Sequence, residues 1–229
     1  MVCLQDLEEP GMEANKIEIK SLVISLATIV SIEVATSFVI SRGLYSPMII
    51  LGATRLLEII LIILIVLIWG KGISSIGLAR AKIAFGLKKG LIWSAGFGIV
   101  ASFAFVVLSA AGSNPLKLIQ VQLPTKHSEI ALFFLIGGMV GPIAEEVFFR
   151  GILYGFFRRW GVVVGLVLST LIFVLMHPIN HGVPITQVVG GIVFALAYEV
   201  EGSLMVPITI HSLGNMAIFA LSLISFGFA

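Results

Sequence analysis

From Ile130 to Phe157 the chain is almost entirely Leu, Ile, Phe, Val, Gly and Ala, and yet Glu145, Glu146 and Arg150 lie in its interior. A run of that length and composition reads as a membrane-spanning helix. An ionised carboxylate at that depth costs roughly 2.5–3.5 kcal/mol on insertion scales, so such residues are rare and usually functional. On a helix, Glu146 and Arg150 share a face and form an i,i+4 ion pair in the favourable orientation. Glu145 is rotated from Glu146 by about 100° and is left free to point elsewhere. The plainer alternative makes all three charges one structural cluster tying helices together.

The other apolar runs cover about residues 21–40, 48–69, 91–111, 162–176, 185–198 and 204–226, with 128–157 the fourth in order. The expected fold is all-α: a polytopic transmembrane helical bundle of about seven spans, with six to eight compatible. At 59% hydrophobic and 11% charged, the chain is not that of a soluble globule. The domain expectation is a polar N-terminal tail over 1–20 and one transmembrane domain over 21–229. That tail is mostly acidic, unlike a secretory signal, and Met12 is an alternative start. No basic run points to nucleic acid. Cys3 is the only cysteine, which excludes an internal disulfide and a thiolate metal site.

Within the spans, Glu33 is a buried acid in the first. Arg55 and Glu58, three apart on one face of the second, read as a helix-internal ion pair. Residues 70–90 form the most basic loop, and its interleaved Ile73, Ile76, Leu78, Ile83, Phe85 and Leu87 suggest a segment lying at the membrane interface. Gly141-Pro142 predicts a kink directly before the carboxylates, with freed backbone groups beside them. Gly137/Gly141, Gly151/Gly155 and Gly161/Gly165 allow close helix approach. With seven spans, nine Lys and Arg fall on the side of the N-terminus and three on the other. Orientation then places the N-terminus in the cytoplasm of an integral, multi-pass cell-membrane protein.

His177 closes an apolar helix with Phe173 four residues back on the same face. His211 and Asn215 are again i,i+4 in the last span. His127 and His181 read as loop residues. There is no His-Glu-x-x-His zinc helix and no Gly-x-Ser-x-Gly elbow. Asp6 is the only aspartate, so an aspartyl dyad is impossible. The remaining Glu, His and Asn set can hold a water, remove its proton and stabilise an oxyanion. It could equally bind one divalent ion such as zinc through Glu145, His177 and His211. The absence of an internal repeat argues against a proton-coupled transporter; a non-catalytic immunity or scaffolding protein is a further alternative.

Glu145-Glu146-x-x-x-Arg150, Phe173-x-x-x-His177 and His211-x-x-x-Asn215, in that order, resemble the three motifs of the CPBP family. These are the CAAX proteases and bacteriocin-processing enzymes, which include the type II CAAX prenyl endopeptidase. The flanking Pro142, Gly151, Gly202-Ser203-Leu204 and Pro207 agree, and the resemblance covers about residues 128–220. It implies an intramembrane endopeptidase with a cavity toward the cytosol. The substrate implied is a peptide or lipidated protein, such as the C-terminal tail of a prenylated CAAX-type protein, met in the lipid of the membrane. The candidate catalytic set is Glu145, Glu146, His177, His211 and Asn215, with Arg150 and Phe173 in support. By resemblance, Glu145 and His177 handle the water and His211 and Asn215 form an oxyanion site. Zinc and a metal-free, glutamate-activated water both remain open.

One expectation conflicts with this pairing. By residue count His177 lies about 25 Å along its helix, but His211 only about 10 Å along its own.

Overall fold

The computed structural model describes residues 17–177 and 184–227, and within them every regular element is helical. Cys3, Met12 and His181 lie outside the described residues. Helix α1 is Ile19–Ser41 and α2 is Pro47–Trp69. Two short 3-10 turns, Ile73–Ile76 and Arg80–Lys82, lead into α3, Ile83–Ala110. A single turn, Leu116–Ile119, precedes the long helix α4 over 127–157. Then follow α5 (Val162–Leu175), α6 (Ile185–Glu201) and α7 (Met205–Gly227).

Among the described residues, five helical stretches are long and apolar enough to cross a membrane: Ile19–Ser41, Pro47–Trp69, Ile73–Ala110, Glu129–Trp160 and Met205–Ile224. The expected fifth and sixth spans, α5 and α6, are shorter than these five, at 14 and 17 residues. The third helix begins at Ile83, earlier than the expected Leu91. On its outward face Ile99, Phe103 and Val106 are exposed apolar side chains, as a lipid-facing helix requires.

The segment before α3 departs from the expected interfacial strip. Ile76 is fully buried, seated against α4 where a Cβ on Gly151 would approach it at 3.2 Å. Gly77 has φ +77, and a side chain there would strike Tyr198 at 2.6 Å. Its carbonyl accepts the amide of Leu204 at 3.0 Å, so this segment covers the α6–α7 turn. That turn needs Gly202 in the left-handed region (φ +60), and Ser203 and Leu204 in it are fully buried. The start of α7 is therefore buried against its neighbours. His177 and His211 nonetheless both reach Glu145 Oε2, at 3.6 and 3.8 Å, despite their unequal distances along their helices.

Helix α4 is not a uniform α-helix. Ile136–Val140 and Val147–Tyr154 are π-helical. In the first of these, Gly141 donates to the carbonyl of Ile136. The next amide in that register would bond Gly137, but Pro142 has none. The kink expected at Gly141-Pro142 thus takes the form of a widened turn with one carbonyl released. Arg158 closes the far end by donating to both oxygens of Glu199 on α6 at 2.6–2.9 Å, with Tyr154 donating to the same carboxylate at 2.7 Å.

Candidate active site

The two adjacent glutamates enter the bundle in different environments. Glu146 is fully buried, and its Oε1 accepts from Arg150 at 3.0 Å, the i,i+4 pair expected from the sequence. The same oxygen receives His211 Nδ1 at 2.7 Å. Arg150, also fully buried, donates to the carbonyl of Gly191 at 3.2 Å. Its guanidinium sits over the rings of Phe173 at 4.5 Å and Phe194 at 5.2 Å. An arginine is well suited to this place because its flat, weakly hydrated cation stacks on aromatic faces while its N–H groups stay engaged.

Glu145 points toward the histidines. Its Oε2 lies 3.6 Å from His177 Nε2 and 3.8 Å from His211 Nε2. The His211 ring therefore stands between the two consecutive carboxylates, Nδ1 on Glu146 and Nε2 on Glu145. Phe194 stacks on that ring with centroids 4.6 Å apart. The Phe173 carbonyl receives His177 Nδ1 at 2.7 Å, and its ring contacts the imidazole at 4.4 Å. Phe173 thus supports the site through both backbone and ring.

These contacts fix the tautomers. A carbonyl and an ionised carboxylate can only accept, so both Nδ1 atoms carry the proton and both Nε2 atoms face Glu145. With both rings neutral, three acceptors converge with no proton among them. Glu145 Oε2 is buried and has no hydrogen-bond partner among the described residues. Such a triangle of acceptors is the chemistry of a site for a proton donor, either a water or an imidazolium proton. A backbone or carboxylate partner on Nδ1 also orients a histidine for zinc. Among the described residues, however, no three His, Cys, Asp or Glu side chains are placed to hold a metal ion.

Asn215 behaves differently from the expectation of an amide aimed only at substrate. Its Nδ2 donates at 2.9 Å to the carbonyl of Gly137, the group that Pro142 releases. The amide thereby fastens α7 to the kink and retains one N–H. Sequence reasoning missed Phe194 and Gly191, both on α6. The Gly190-Gly191 pair was the available signal, since a Cβ on Gly191 would meet Thr170 at 2.7 Å. That close approach of α5 and α6 brings the Gly191 carbonyl within reach of Arg150.

The model of the Rce1-like type II CAAX prenyl endopeptidases matches residues 127–217, the stretch that carries every side chain of this site. Over that stretch the chain is similar to this family of CAAX proteases. The membrane-embedded CAAX protease MroQ of Staphylococcus aureus (strain USA300) is 32% identical over 94 residues. That match covers 38% of this chain and 38% of the relative. No solved structure matches the chain. The family segment begins with α4, so α1 to α3, including Glu33, Arg55 and Glu58, lie outside it.

Proposed function

We propose that this protein is an intramembrane endopeptidase that hydrolyses a peptide bond with a water held by Glu145 and His177. The reading rests on one observation: Glu145 Oε2 lies 3.6 and 3.8 Å from two imidazole Nε2 atoms whose Nδ1 atoms are already committed. The similarity of residues 127–217 to a CAAX protease family supports the same chemistry.

Glu145 takes one proton from the water as its oxygen attacks the scissile carbonyl carbon. The resulting oxyanion is stabilised by the remaining N–H of Asn215 and by the Nε2–H of His211, whose second proton is taken up from solvent before the attack and returned there afterwards. Glu146 holds the imidazolium in place. The C–N bond then breaks, and the proton on Glu145 passes to the leaving amine. The products are a carboxylic acid and an amine, which exchange a proton to leave a carboxylate and an ammonium, with one water consumed. A zinc ion on Glu145, His177 and His211 would supply a polarised water instead. The placement of these side chains favours the route through Glu145 alone. The substrate is proposed to be a membrane-proximal peptide, such as the C-terminal tail of a prenylated protein.

The deciding experiment is cleavage by the purified protein of matched lipidated and plain peptides, with and without chelator. Cleavage insensitive to chelator supports the glutamate route. No hydrolysis of any peptide overturns the peptidase reading. Metal stoichiometry separates the alternatives further: a stoichiometric metal that disappears in His211→Ala would replace the oxyanion role of His211 by a ligand role.

Asn215→Ala is expected to act twice. Loss of an oxyanion donor lowers kcat by about 10²–10³ with little change in KM. Stranding the Gly137 carbonyl also costs about 1–3 kcal/mol of stability. Single-turnover rates and thermal unfolding measure the two effects separately, and an unchanged rate would remove Asn215 from the chemistry.

The topology proposed is a cytoplasmic N-terminus with seven spans. In a Cys3→Ser background, Lys82→Cys should label only from the cytoplasm and Lys117→Cys only from outside. The reverse pattern would invert the assignment.

A further inference from the structure

A second charged group sits in the membrane helices, outside the family segment. Arg55 Nη1 on α2 donates at 2.6 Å to Glu33 Oε1 on α1 and at 2.6 Å to Glu58 Oε2 on its own helix. The sequence suggested only the Arg55–Glu58 pair. One guanidinium between two carboxylates leaves a negative charge in excess. Glu58 is 2% exposed, and its Oε1 has no hydrogen-bond partner among the described residues. A buried carboxylate oxygen without a donor is costly unless something supplies one.

The triad is also close to the site. Helix α2 packs against the part of α4 that carries Glu145. Glu33, Arg55, Glu145 and His177 all keep partly exposed side chains, between 22% and 31%. Their partners Glu58, Glu146 and Arg150 are buried. Four carboxylates thus face two guanidiniums, and protonating one imidazole still leaves negative charge in excess. In a low-dielectric bundle such an excess is screened little and selects strongly for an opposite charge.

We propose that Glu33 and Glu58, held in register by Arg55, form a substrate subsite that takes a basic side chain of the peptide beside the bond hydrolysed at Glu145. The proposal rests on the peptidase reading for its location. An ammonium or guanidinium entering here donates to the unpartnered Glu58 Oε1 and to the partly exposed Glu33 carboxylate, and offsets the excess charge. An acidic side chain or a free C-terminal carboxylate meets repulsion. Arg55 keeps the two carboxylates from separating in the absence of substrate.

The test uses the full chain in proteoliposomes and peptides identical except for Lys, Gln or Glu at residues flanking the scissile bond. Lys peptides should exceed Glu peptides by about tenfold or more in kcat/KM, mainly through KM, as expected of charge complementarity. The ratio should fall toward one in Glu33→Gln and Glu58→Gln and be kept in Glu33→Asp. A second measurement is binding of the same peptides, fluorescently labelled, to Glu145→Gln and to Glu145→Gln/Glu33→Gln. Cleavage with no preference for Lys, or a preference unchanged in both Gln variants, overturns the subsite and leaves the peptidase reading standing. Absence of cleavage with Lys-selective binding that Glu33→Gln removes overturns the peptidase reading and leaves the subsite. Absence of both overturns both.

Discussion

Glu145→Gln should reduce peptide hydrolysis by about 10²–10⁴-fold, the range associated with a positioned general base, while the protein folds as before. The amide keeps the size of the carboxylate but cannot take a proton from water. Stability should change little, because Glu145 Oε2 has no hydrogen-bond partner among the described residues. The isosteric amide breaks no hydrogen bond of that oxygen. Thermal unfolding in detergent and single-turnover cleavage should therefore move independently. Retained hydrolysis in Glu145→Gln would take the water away from this residue.

Arg150→Ala should do the opposite and act mainly through folding. The guanidinium is fully buried, paired with Glu146, bonded to the Gly191 carbonyl and stacked on Phe173 and Phe194. Its loss strands a buried carboxylate, which commonly costs about 3–5 kcal/mol. It also removes the anchor that holds Glu146 against His211, so activity of the remaining folded fraction should fall as well. Folded yield and unfolding midpoint would measure the first effect. Equal yield and full activity in Arg150→Ala would refute the assignment. Arg150→Lys should rescue only partly, because an ammonium cannot reproduce the planar stack between the two rings.

The contrast between these variants shows which parts of the site were readable in advance. The Glu146–Arg150 pair was visible because it lies within one helix turn, where spacing alone fixes proximity. The separate direction of Glu145 followed from the same geometry. The His177–Phe173 relation was visible as a shared face, although the sequence did not reveal that the Phe173 backbone is the hydrogen-bond partner. The Gly141-Pro142 kink was legible because proline lacks an amide. That Asn215, 78 residues from Gly137, takes up the freed carbonyl was not.

Local order and class were therefore determined by the sequence: apolar runs long enough for helices, charges at helical spacing, and a proline that must interrupt its own helix. Only the tertiary structure decided which side chains meet. It brings His211 on α7 to 3.8 Å from Glu145 Oε2 despite its short distance along its own helix. It also decided that one imidazole stands between two consecutive glutamates, that α6 supplies Phe194 and the Gly191 carbonyl, and that Glu33 joins Arg55 and Glu58. Each of these depends on how separate helices pack, and packing in a membrane is set by side-chain fit and hydrogen bonds between helices. Hydropathy and spacing report on one helix at a time, so they carry no record of which neighbour a side chain will meet.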